Sequence, residues 1–211
     1  MGKCVIIAPL YAGEEAEWLR CGEEDLLLCA DGGYDAAMRC GLKPDLVIGD
    51  FDSMPEDHVR DCPKMTLPVL KDDPDMAVCI EEGRKRGYRK FRMAGCLGGR
   101  LDHTVSNLQL LYDCALRGEN AWMADGQNRV TILAPGEYVL DPMPGRKLSL
   151  LAYTPEVTGV TLTGAFWPLE DATLVSNRPL GVSNEATEAH PRLSFRTGAV
   201  MLLYSADAPK H

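Results

Sequence analysis

The feature that most limits what this chain can fold into is a change of pattern near Gly126. Before it, short apolar runs alternate with helix-length segments. After it, helical periodicity disappears and strand-length runs follow one another. In the first part, residues 4–8, 26–30, 46–48, 64–70 (interrupted by Pro68), 91–94 and 121–124 read as strands. Helices are expected over 14–20, 34–40, a short piece after Pro55, 75–86 and 101–117. For the helix at 75–86, Asp73 suits the cap, Pro74 the first turn and Gly87 the end. The helix at 101–117 is expected to bury a stripe of Leu101, Val105, Leu108, Tyr112 and Ala115. Strands joined by helices pair in parallel through right-handed crossovers, and nearly all-apolar strands fit a sheet covered on both faces.

In the second part, 129–133 and 137–140 read as a hairpin around Ala134-Pro135-Gly136. Strands are then expected over 147–153, 157–163, 173–176, 192–196 and 199–204, with a tight turn at Thr197-Gly198. The expected fold class is therefore an α/β N-terminal domain with a mostly parallel sheet and flanking helices, over 1–126, followed by an all-β C-terminal domain over 127–211, an antiparallel sandwich or an open barrel.

A net charge of −9 speaks against an electrostatic grip on nucleic acid or an anionic membrane. No run of 18 apolar residues is present, and the opening apolar run is too short for a signal peptide. None of the 8 cysteines falls in a Cys-x-x-Cys pair, and Cys4, Cys29 and Cys96 sit in or beside strand patterns. They read as small buried hydrophobes of a reduced, cytoplasmic protein.

The chemistry sits where strands end. Leu46-Val47-Ile48-Gly49-Asp50-Phe51-Asp52-Ser53 ends a strand in glycine and two carboxylates. In an extended chain Asp50 and Asp52 project to one side and Phe51 to the other. Close carboxylates repel unless a cation lies between them, and hard oxygen donors suit Mg²⁺. Asp31-Gly32-Gly33 follows an earlier strand. In Lys71-Asp72-Asp73-Pro74-Asp75, Asp72 and Asp75 can extend a metal site and Lys71 can hold a phosphate; Asp73 and Asp75 equally suit a helix N-terminus.

In Gly95-Cys96-Leu97-Gly98-Gly99-Arg100-Leu101-Asp102-His103, Gly98 and Gly99 free the backbone to approach a ligand. Arg100 offers a planar fork for phosphate oxygens. Asp102 suits a metal, a substrate hydroxyl or the first turn of the helix. Asn107 reads as a polar neighbour and His103 as structural. Ser183 and Asn184 lie in what reads as an ordinary turn, and Trp167 suits either edge packing or stacking on a flat ring. No P-loop, dinucleotide glycine motif or nucleophile elbow is present.

Taken together, Ala30 to Gly33, Pro44-Asp45 with Ile48 to Ser53, Lys71-Asp72 with Asp75, Gly98 to His103 with Asn107, and Ser183-Asn184-Glu185 resemble the bacterial thiamine pyrophosphokinase family in order and spacing. The resemblance implies transfer of a pyrophosphoryl group from ATP to the thiamine hydroxyl, with Mg²⁺, and a homodimer with active sites between subunits. It implies that Asp50, Asp52, Asp72 and Asp75 hold metal. Asp50, Asp52, Asp72, Arg100 and Asp102 would be catalytic. Asp31, Gly32, Gly33, Lys71, Gly98, Gly99, Arg100, Asn107, Ser183 and Asn184 would bind nucleotide or thiamine. Pro74 departs from the family, which usually carries Thr or a similar residue there. Competing readings are a metal-dependent phosphatase with an Asp-x-Asp nucleophile and a non-catalytic thiamine or nucleotide sensor.

Overall fold

The computed structural model describes residues 2–14, 19, 21–51, 58–59, 61–68 and 74–207. The helices expected over 14–20 and after Pro55 fall largely outside these residues, as do Asp52, Lys71, Asp72 and Asp73. The chain divides into two compact units, one of Met1–Cys114 with Glu119–Gly126, the other of Gln127–His211 with Ala115–Gly118.

The first unit has strands β1 (Cys4–Ile7), β2 (Leu26–Ala30), β3 (Leu46–Gly49), β4 (Lys64–Thr66), β5 (Lys90–Ala94) and β6 (Asn120–Ala124). Its described helices are α1 (Gly33–Arg39), α2 (Asp75–Lys85) and α3 (Leu101–Leu116). The strands pair in parallel in the order β6-β5-β1-β2-β3-β4. Every residue of β1 is 0% exposed, as a sheet covered on both faces requires. Val5, Ile7, Leu27, Cys29 and Val47 pack with Tyr34, Ala36 and Ala37 of α1 on one face. On the other, α2 approaches so closely that a Cβ on Gly83 would fall 2.8 Å from Phe91 and 2.9 Å from Cys4 Sγ. The chain runs outward from β1 to β4, then returns to the opposite side of β1 as β5. This is a topological switch point, where ligands of such sheets bind beyond the carboxyl ends of the strands. All eight cysteines are free, and Cys4, Cys29, Cys79, Cys96 and Cys114 are buried.

Two local expectations change. The cap of α2 is Pro74, in an extended conformation with no side-chain cap bond, so the helix begins at Asp75 itself. The buried face of α3 is Asn107, Leu111, Cys114 and Ala115, while Leu101 is 75% and Val105 49% exposed. A polar residue holds a buried position, because Asn107 donates to the Cys96 carbonyl at 2.8 Å. That bond turns the apolar stripe expected from Leu101 and Val105 outward.

The second unit contains β7 (Asn128–Leu133), β8 (Gly136–Val139), β9 (Lys147–Ala152), β10 (Glu156–Thr163), β11 (Leu169–Val175), β12 (Gly181–Asn184), β13 (Arg192–Phe195) and β14 (Val200–Ser205). One antiparallel array runs β12-β9-β14-β7 and the other β11-β10-β13-β8. Leu148, Leu150, Leu202 and Tyr204 from the first meet Val160, Leu162, Leu174, Leu193 and Phe195 from the second in one core, which makes this unit a sandwich.

The expected hairpin of β7 and β8 does not form. β7 pairs with β14 and β8 with β13, in different sheets. No residue of Ala134-Pro135-Gly136 takes the positive φ that tight hairpins need. The Tyr138 hydroxyl instead closes the corner by donating to the Ala134 carbonyl at 2.6 Å. The segment around Ser183, expected as a turn, is strand β12, paired with β9 across a register shift.

Candidate active site

At the switch point the loops after β1 and β5 are fastened together. The Ala8 amide donates to the Ala94 carbonyl at 2.8 Å and the Leu10 amide to the Gly95 carbonyl at 3.1 Å. Gly95 has φ +71°, and a Cβ there would lie 2.2 Å from the Tyr11 nitrogen, so only glycine fits. Above this junction opens a cleft of about 630 Å³. Asp31, Asp75, Gly98, Gly99, Arg100 and Asn107 line it, with Pro9, Leu10, Met76 and Cys96 among its apolar walls. Three of the four chemical clusters read from the sequence thus meet in one place.

The fourth adjoins them. The Asp31 amide donates to the Ile48 carbonyl at 2.8 Å. A Cβ on Gly49 would lie 3.0 Å from Asp31 Cα and 3.1 Å from its Oδ1, so Gly49 makes room for Asp31 directly before Asp50. Asp50 is half-buried and does not line the cleft. Phe51 is 9% exposed in the core, as expected. Its φ of +56° breaks the extended chain, however, so the strand alternation expected through Asp50 stops at Phe51. Asp31 at φ +44° and Phe51 are two of the few non-glycine residues in the left-handed region. Backbone strain of that kind costs about 1–3 kcal/mol and concentrates at functional sites.

Gly32 and Gly33 do not line the cleft. Gly33 serves the fold: a Cβ there would fall 2.1 Å from the Ile7 carbonyl oxygen, at the crossing of α1 over β1. Among the described residues no group of three or more His, Cys, Asp or Glu side chains forms a metal cluster. Asp50 and Asp75 are nevertheless the hard oxygen donors that Mg²⁺ takes, and the other two carboxylates of the expected set lie outside the described residues.

Asp102 also stands outside the cleft lining. Its carboxylate is gripped by Arg100, with Nε to Oδ1 at 3.1 Å and Nη2 to Oδ2 at 2.5 Å, and it also accepts from the His103 amide at 3.0 Å. The Arg100 guanidinium holds the Asp102 carboxyl down at about 2. A depressed acid keeps its favourable interaction at all pH above the ordinary carboxylate range and loses it as pH falls through about 2. Between pH 5 and 9 Asp102 contributes no change. A side-chain carbon NMR titration should place its midpoint near 2 and show it rising in Arg100→Ala. A midpoint at the ordinary value in the parent protein would remove the pair.

In the second unit, Asn184 is 7% exposed. Its Oδ1 accepts from the Trp167 amide at 3.0 Å and the Glu185 amide at 2.8 Å, and its Nδ2 donates to the Trp167 carbonyl at 2.7 Å. The side chain grips the backbone on both sides of an indole that is itself 56% exposed. Ser183 has φ +63°, with its amide donating to Ser149 Oγ at 3.0 Å. Trp167 and Asn184 border a further cavity of about 310 Å³ with Leu150, Leu162 and Val182. Sequence reasoning missed Leu10 and Thr104 near the main cleft. Leu10 carries no local signal, since only the strand junction puts it there. Thr104 was detectable as a hydroxyl one turn into the helix after Gly98-Gly99.

A doubly covered parallel sheet with its cleft at the switch point, in a chain that continues into an antiparallel sandwich, defines a two-unit α/β plus β-sandwich protein. Two family models match it: the thiamin pyrophosphokinase catalytic domain over residues 20–123 and the thiamin pyrophosphokinase vitamin B1 binding domain over residues 137–200. Thiamine pyrophosphokinase of Bacillus subtilis (strain 168) is 28% identical over 192 residues, 88% of this chain and 89% of its own. The crystal structure of thiamine pyrophosphokinase from Bacillus subtilis superposes with a TM-score of 0.88 at 23% identity, over 99% of this chain and 100% of that one. The structure from Geobacillus thermodenitrificans gives 0.84 at 26% identity, over 99% of each. The chain belongs to the thiamine pyrophosphokinase family.

Proposed function

We infer that this protein transfers the pyrophosphoryl group of ATP to the hydroxyl of thiamine, giving thiamine diphosphate and AMP. One observation carries the reading at the level of residues: Asp31, Asp75, Gly98, Gly99 and Arg100 line a single cleft at the switch point of the sheet. Residues 1–126 are assigned the nucleotide chemistry and 127–211 the binding of thiamine. The thiamine oxygen attacks the β-phosphorus, the bond from that phosphorus to the α–β bridging oxygen breaks, and AMP leaves. Such a transfer depends on positioning and electrostatic stabilisation. Arg100 and Lys71 offset charge on the moving group, and Gly98 and Gly99 let backbone amides approach it. Asp50, Asp52, Asp72 and Asp75 would hold Mg²⁺, which when bound neutralises polyphosphate charge. With its carboxyl near 2, Asp102 is a weak general base at neutral pH, so orienting Arg100 is the role its geometry favours.

Trp167 supplies the flat surface for a thiamine ring. Its exposure and the Asn184 clamp on its backbone support that role, and they make Asn184 a support for the ring rather than a ligand. The same reading makes the protein a cytoplasmic homodimer with active sites between subunits. The exposed Leu101 and Val105 give α3 an apolar face for a second copy. No described helix is long and apolar enough to cross a membrane.

The test is AMP formation from ATP with thiamine and Mg²⁺ each present or withheld. Only dependence on both fits the reading. Phosphatase action would need no ATP, and a sensor would form no AMP. Trp167→Ala should raise the KM for thiamine about tenfold and leave the KM for ATP near its original value. An unchanged thiamine KM would remove the indole from the site.

A further inference from the structure

We propose that Thr104 is a positioning residue for the reaction, its hydroxyl fixing the Gly98–Arg100 loop in the conformation that presents Arg100 to a polyphosphate. This rests on the reading of the cleft as the nucleotide site.

Gly98 and Gly99 lie at φ +86° and +62°. Two successive glycines in the left-handed region can approach a ligand closely, but they are also the softest backbone in the site. Something outside the loop must hold them if Arg100 is to point in one direction. The face of α3 toward the loop supplies two holds one turn apart. Asn107 donates to the Cys96 carbonyl at 2.8 Å and fixes the start of the loop. Thr104 fixes the middle: its Oγ1 accepts from the Gly98 amide at 3.2 Å and donates to the Gly98 carbonyl at 3.1 Å. The Arg100 carbonyl lies 3.5 Å from the same hydroxyl and accepts from the Thr104 amide at 3.2 Å. One small side chain therefore ties both polar groups of Gly98 to the helix that carries Arg100 at its start. Leu10 packs on the other side, 3.1 Å from where a Gly99 Cβ would stand, but has no polar group to set orientation.

The bonds of Thr104 are solvent-exposed. Water can replace them when the hydroxyl is removed, so the fold should tolerate the loss. The orientation of the loop should not, because water does not fix direction. Those two consequences separate a positioning role from a structural one.

The test compares Thr104→Val, which keeps shape and removes the hydroxyl, with Thr104→Ser, which keeps the hydroxyl. Both are made in the full chain. Thr104→Val should lower kcat/KM for ATP by roughly tenfold to a hundredfold, with the KM for thiamine and the melting temperature unchanged. Hydrogen exchange at the Gly98 amide should quicken, and calorimetry should find weaker binding of inorganic tripolyphosphate with Mg²⁺. Thr104→Ser should restore all of these. Parental exchange and kinetics in Thr104→Val overturn the proposal. So does a Thr104→Ser protein as impaired as Thr104→Val, which would assign the effect to the methyl group. If the parent forms no thiamine-dependent AMP, the functional reading falls, while the exchange and tripolyphosphate measurements still decide the role of Thr104.

Discussion

Asp50→Asn should lower kcat by roughly a hundredfold to a thousandfold, the scale set by loss of one preorganised electrostatic contact in a transition state, while the melting temperature stays within a degree or two. The substitution keeps the shape of the side chain and removes only its charge. The backbone around it is set by other groups. Gly49 is held beneath Asp31, and Phe51 is anchored in the core at φ +56°. Asparagine therefore changes the chemistry of the position and not its place. The loss should appear in kcat and in the Mg²⁺ concentration needed for half-maximal rate, because a neutral amide is a weaker donor to a hard cation. Asp75→Asn should cost less, since part of the value of Asp75 is its charge at the first turn of α2. Full turnover by Asp50→Asn at limiting Mg²⁺ would take the carboxylate out of the mechanism.

The parts that were legible in the sequence follow from periodicity and strand ends. Short apolar runs, separated by helix-length segments, leave parallel pairing as the available arrangement. Once the sheet is parallel, the acid- and glycine-bearing turns must collect on its carboxyl edge. That is why Asp31, Asp75, Gly98, Gly99 and Arg100 meet. Loss of helical period after Gly126 likewise gave the sandwich.

What escaped depends on contacts between segments distant in sequence. The phase of α3 follows from Asn107 reaching back to Cys96, a bond with no signature in a hydrophobic stripe. The turn at Ala134-Pro135-Gly136 looks like a hairpin locally, yet β7 and β8 find their partners in β14 and β13, far along the chain. Gly33 sits in a ligand-like motif but is required by the Ile7 carbonyl. Asn184 carries a polar side chain suited to a ligand, yet uses it on the backbone of Trp167.

The second large effect lies outside the cleft. Glu119→Ala should destabilise the protein by about 3–5 kcal/mol, the usual cost of leaving a buried ion without its partner, and lower the melting temperature on the order of 10 °C. The Glu119 side chain is 0% exposed and accepts from Arg84 at 2.7 Å and Arg89 at 2.9 Å. Arg84, at 10% exposure, also meets Glu81 at 2.6 Å and Asp113 at 2.8 Å. Its guanidinium is thereby held more firmly protonated than usual, chiefly by its bonds to Glu119. This cluster joins the last turn of α2, the end of α3 and the start of β6, so removing its central acid loosens three elements at once. Because Glu81 and Asp113 still face Arg84, the loss should fall nearer the lower end of that range. Arg84→Met should be milder than Glu119→Ala on a different ground: it removes a charge while filling much of the same volume, though it leaves Glu119 with Arg89 alone. Kinetic constants measured well below the transition should match the parent in both variants, since none of the residues in these ion pairs lines the cleft. A melting temperature unchanged in Glu119→Ala would mean that water replaces the carboxylate without cost and that the network does not hold the unit together.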